Sequence, residues 1–93
     1  MIQSFHNVET EAVSHGIRFK GFPQDILLTA LRKFAMMNAA VRLSDLRSPP
    51  GNRLEALKGD RAGQHSIRIN DQWRICFVWT DAGPERVEIT DYH

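Results

Sequence analysis

Ninety-three residues, 42% hydrophobic and 25% charged, suit one soluble globular domain over 1–93 and leave no room for a second core. A net charge of +1 excludes a generally basic nucleic-acid coat, and no apolar run nears the ~20 residues that span a bilayer. One cysteine, Cys76, excludes an internal disulfide and suits a reducing compartment; with no signal-peptide pattern at Met1–His6, the expected location is the cytoplasm.

Ile2 to His6 alternate weakly and predict a short first strand. Asn7 offers an N-cap, Glu9 and Glu11 favour the positive end of a helix dipole, and Gly16 supplies a stop, so a helix is expected over Val8–His15. Pro23 suits the first position of the next helix. There Leu27, Ala30, Leu31, Phe34 and Met37 form one apolar stripe, with Arg32 and Lys33 opposite. The Met36-Met37 pair reads as core filling. Leu43 and Leu46 suggest one further short turn before Ser48-Pro49-Pro50-Gly51-Asn52 breaks all regular structure.

Beyond this loop the period changes to two. Ile67 and Ile69, then Trp73, Ile75, Phe77 and Trp79, then Val87 and Ile89 alternate with more polar neighbours. Asn70-Asp71-Gln72 and Asp81-Ala82-Gly83-Pro84 are the connecting turns. The expected class is α+β: a first strand, two helices and a three-stranded antiparallel meander. The helices would pack on one face of the sheet, through Trp73, Ile75, Phe77 and Trp79.

The opposite face is then open for function. It would carry Arg68, Arg74 and Tyr92, flanked by a loop bearing Arg53, Glu55, Lys58 and Arg61. Seven bases stand against four acids between Arg42 and Arg74, a local excess that can contact phosphates without a high overall charge. The sequence closes on Asp91-Tyr92-His93, an acid, a phenol and an imidazole directly after an expected strand. An adjacent α-carboxylate would favour the imidazolium of His93. Such a set holds what phosphodiester cleavage needs: a base, an acid and cations for developing negative charge. No metal or other cofactor is called for. His6, His15, His65 and His93 lack ligand spacing, and Cys76 has no CxxC partner and reads as a small buried or half-buried thiol. The same face could instead hold RNA or an acidic partner without any chemistry.

Three segments carry a family resemblance. They are Arg53-Leu54-Glu55-Ala56-Leu57-Lys58-Gly59-Asp60-Arg61, His65 through Ile75 with its Asn70-Asp71-Gln72-Trp73-Arg74 hairpin, and the terminal Asp91-Tyr92-His93. Together with the Met1–Phe5 opening, they resemble the HigB-type toxins of the RelE/ParE superfamily of bacterial toxin–antitoxin systems. The resemblance implies a ribosome-dependent, metal-independent mRNA endoribonuclease in which the 2′-hydroxyl attacks the adjacent phosphorus. It implies silencing by a helix-turn-helix antitoxin of the HigA type, with operator DNA bound only through that antitoxin. Carried onto this chain, Lys58 and Arg74 would stabilise the phosphorane. Asp91, Tyr92 and His93 would position the nucleotide and move protons, and Arg53, Arg61 and Arg68 would hold RNA or ribosome. Family members often carry a histidine where this chain has Glu55, so the general base falls to Glu55 or to His93. A ParE-like branch would share the fold but act by binding DNA gyrase.

Overall fold

The computed structural model describes residues 1–92. Helix α1 spans Val8–Ser14 and helix α2 spans Leu27–Ala39. Strands follow at β1 (Glu55–Ala56), β2 (His65–Arg68), β3 (Trp73–Thr80) and β4 (Gly83–Asp91), all antiparallel in the order β1-β2-β3-β4. The α+β architecture and the meander agree with the expectation. The sheet gains one short strand, β1, that period-two alternation could not reveal.

Local chemistry sets the helix limits. The Asn7 side chain accepts the Thr10 amide at 2.9 Å, and Gly16 leaves α1 with a φ of 85° that favours glycine. Pro23 holds extended backbone, so a single 3-10 turn, Gln24–Ile26, precedes α2. The turn expected around Leu43 and Leu46 is a 3-10 helix, Leu43–Arg47. The Asp45 carboxylate caps it by accepting the amides of Val41 (2.9 Å) and Arg42 (3.0 Å), and these bonds lower its pKa.

The core lies between the helices and the inner face of the sheet. Val13, Ala30, Phe34 and Met37 meet Ile67, Ile75, Phe77, Val87 and Ile89, all of them buried. Phe19 and Phe22 contact Trp73 edge-on, with ring centroids 6.1 and 5.3 Å apart. The buried Thr10 hydroxyl accepts the Ile89 amide at 3.0 Å and ties α1 to β4. Among the described residues no helix is long and apolar enough to cross a membrane.

The opening segment differs in detail from the expected strand. It runs parallel to β4, with Gln3 donating to the Pro84 carbonyl, Val87 to Ser4 and His6 to Val87, yet it closes a single bridge, Phe5 with Val87. The reason is a bulge in β4. The β3–β4 register shifts between Cys76 and Val78, and Arg86 takes a φ of 52°. Gly83, at φ 128°, lets the first residue cross the β3–β4 turn, because a Cβ there would stand 2.2 Å from the Met1 carbonyl oxygen.

Candidate active site

Alternation within the paired strands decides which side chains reach the outer face. Ser66 pairs with Cys76, Arg68 with Arg74, Cys76 with Glu88, and Arg74 with Thr90, so these residues all face away from the helices. Glu55 joins the same face through its pairing with Ser66.

Arg74 is the most firmly held cation there. Its Nε donates to Ser66 Oγ at 2.8 Å, and Nη2 donates to the carbonyls of Arg53 (2.7 Å) and Ser66 (3.3 Å). The guanidinium carbon lies 5.9 Å from the centroid of the Tyr92 ring, within cation–π range. Nη1 has no protein partner among the described residues and stays available to a bound anion. A guanidinium fixed on two sides keeps its geometry while presenting its remaining donors.

Sequence reasoning missed two supporting residues, Ser66 and Asn52. Ser66 is fully buried beneath Arg74. Asn52, also fully buried, donates to the carbonyls of Leu46 (3.1 Å) and Ser48 (3.4 Å) and accepts from Lys33 Nζ at 2.5 Å. That Lys33 ammonium has a lowered pKa, first through burial and then through Arg68 nearby. Asn52 thus fixes the loop just before Arg53, whose φ of 45° turns its carbonyl toward Arg74. Asn52→Ala is expected to cost about 1–3 kcal/mol, the penalty for stranding buried polar partners. Denaturant melting checks this, and an unchanged midpoint would contradict it.

Tyr92 closes the other side. Its hydroxyl lies 3.6 Å from Cys76 Sγ, which also receives the Thr90 hydroxyl at 3.4 Å. Cys76 is fully buried, in keeping with the small thiol expected. Tyr92 as a whole is 43% exposed, but its phenol tip sits over the thiol. Partial burial of that tip, then the hydrogen bond to Cys76, push the phenol pKa above 10.0 against the opposing pull of Arg61 and Arg74. The phenol therefore keeps its proton at neutral pH. Because the folded state holds this proton more tightly, the contribution to stability is present below pH 10.0 and is lost as pH rises through the folded pKa. Tyr92 is the single tyrosine, so ultraviolet titration of the folded chain reads it directly. Ionisation is expected above the ordinary range, and a value at or below it would contradict the packing.

The other expected residues are placed less closely. Arg61 bonds Glu88 (3.1 Å) and Gln64 (3.0 Å), and the Glu88 bond raises its pKa. Arg68 is paired with Asp71 in the hairpin. These acids neutralise part of the basic face. Lys58 is exposed at the start of the 3-10 turn Gly59–Arg61 and Glu55 is exposed on β1. Asp91 pairs with Trp73 in register and accepts the Gln72 side-chain amide at 3.1 and 3.2 Å, with no bond to Arg74 or Tyr92. His93 lies outside the described residues.

Comparison with known proteins gives the family. Residues 10–93 match the HigB-like toxin family, described as the RelE-like toxin of the type II toxin–antitoxin system HigB. The chain is 45% identical over 64 residues to Toxin HigB-1 of Vibrio cholerae, an alignment covering 69% of this chain and 67% of that protein. It is also 35% identical over 65 residues to an uncharacterised protein of Haemophilus influenzae, covering 70% of this chain and 64% of that one, less than two thirds of its length. The chain belongs to the HigB-like, RelE-like toxins of type II toxin–antitoxin systems.

Proposed function

We propose that this toxin cleaves messenger RNA on the translating ribosome, using the outer face around Arg74. The observation that carries the reading is the pinned guanidinium of Arg74, with an unengaged nitrogen and the Tyr92 phenol ring beside it. That pair suits a reaction in which negative charge builds on phosphoryl oxygens and a leaving oxygen must be protonated. The 2′-hydroxyl attacks the neighbouring phosphorus, a base takes its proton, and Arg74 with Lys58 stabilises the phosphorane. The bond from phosphorus to the 5′-oxygen then breaks, giving a 2′,3′-cyclic phosphate and a protonated 5′-hydroxyl. His93 and Glu55 are the candidate proton acceptors, while Arg53, Arg61 and Arg68 hold nucleotide or ribosome. Asp91, on the helix side of β4 beside Trp73, can contribute only by holding the end of the strand through Gln72. No step requires a metal ion.

The ribosome enters because this face is only locally basic. Glu88 and Asp71 offset part of the charge of Arg61 and Arg68, so the face draws naked RNA only weakly and these cations act once the ribosome presents the message. Positioning by a large partner can replace that missing affinity. A type II toxin works against an antitoxin; we assign a helix-turn-helix protein of the HigA type, through which operator DNA is contacted, and a cytoplasmic setting. Purified toxin added to one message, with and without translating ribosomes, tests the reading. Cleavage is expected only during translation. Efficient ribosome-free cleavage would remove the ribosome from the account, and intact message with stalled gyrase would replace it with a ParE-like activity.

A further inference from the structure

A half-open cavity of about 350 Å³ lies at the β1 edge of the sheet, where the 3-10 helix Leu43–Arg47 approaches the strand. Leu43, Leu54 and Ala56 line it with apolar surface, and Ser44, Arg47 and His65 add polar groups. Glu55 forms part of the same wall, so the cavity adjoins a candidate proton acceptor. Ala56 and His65 are paired and point to the helix side, whereas Glu55 and Ser66 point outward, so the cavity wraps around the edge between the two faces.

We propose that this cavity binds one nucleobase of the RNA, that of a nucleotide beside the cleaved bond; the assignment rests on the ribonuclease reading. Small-ligand sites combine apolar walls with few polar groups and span roughly 300–1,000 Å³. The Arg47 guanidinium is a planar surface on which a base can stack. Ser44 offers a hydroxyl to a base edge. His65 is stacked on Phe77 with centroids 6.3 Å apart and planes 25° apart, so its ring is fixed. Its Nδ1 is buried without a partner among the described residues. With the Glu55 carboxylate offsetting the single Arg47 guanidinium, the cavity carries no net positive charge, which suits a neutral ring with polar edges better than a phosphate or an acidic peptide.

Titrating the four nucleoside 5′-monophosphates and ribose 5-phosphate into isotope-labelled toxin tests the cavity without requiring cleavage. Base-dependent shifts at the Ala56 methyl and the His65 ring are expected at roughly millimolar ligand, with none from ribose 5-phosphate. Ser44→Trp fills the cavity from an exposed position, and Arg47→Ala removes the stacking surface. Each should abolish those shifts with melting nearly unchanged. During translation, each should lower cleavage roughly tenfold, the scale of one lost base stack, and redistribute the cut sites. Equal shifts from ribose 5-phosphate, no shifts, or unchanged sites and rates in both variants would overturn the inference. If wild-type toxin leaves message intact, the ribonuclease reading fails separately, and the titration still decides whether the cavity takes a base.

Discussion

Arg74→Ala should lower cleavage on the ribosome by roughly 10²-fold or more, the usual loss when one donor to developing charge is removed. From alternation alone this variant would leave stability nearly unchanged, since the side chain points to the open face. The structure adds a cost. Removing the guanidinium strands the buried Ser66 hydroxyl and the Arg53 carbonyl, so about 1 kcal/mol or more of stability should go with it. Arg74→Lys separates the two effects. It restores charge but cannot reproduce three bonds to two residues, so activity should stay well below wild type while charge-dependent RNA contact returns. Matched-stability cleavage assays check this, and a fully active Arg74→Ala toxin would contradict the assignment.

The second large effect concerns the proton. Imidazole is the side chain whose charge changes between about pH 5 and 8, and general acid–base groups contribute on the order of 10²–10⁴-fold. His93→Gln should therefore lower cleavage by roughly 10²-fold or more and flatten the rate profile through neutral pH. The core should be untouched, because no apolar side chain is removed. Glu55→Gln should have the smaller effect, and mainly on which sites are cut, given the cavity that Glu55 lines. Paired pH–rate profiles decide between them. An active His93→Gln toxin with an inactive Glu55→Gln toxin would move the proton transfer to Glu55.

The helices and the meander were legible because their signals are local. Asn7, Gly16 and the Leu27-to-Met37 stripe each act within one or two turns, and the alternation of β3 needs no knowledge of its neighbours. β1 was not legible, because two residues carry no period and Glu55 pairs with Ser66 only after the sheet forms. The opening segment forms a single bridge and not the strand its alternation predicts, since the β4 bulge at Arg86 depends on a register set elsewhere. Within the site, Arg74 and its outward direction followed from alternation with Trp73 and Ile75. The same parity sets Asp91 on the side of Val87 and Ile89, apart from Tyr92, and could have been read from the sequence. Ser66 and Asn52 could not. A serine and an asparagine become structural only when burial removes water and leaves Arg74 or Lys33 as the partner.

The central claim is that this face cleaves message by 2′-hydroxyl attack. Its most direct test is the chemistry of the cut ends, read on a single message cleaved by wild-type toxin during translation, with Arg74→Ala as the control. A 2′,3′-cyclic phosphate is expected on the upstream fragment and a 5′-hydroxyl on the downstream fragment, both nearly absent in the control. A 3′-hydroxyl with a 5′-phosphate, which requires water as the nucleophile, would contradict it.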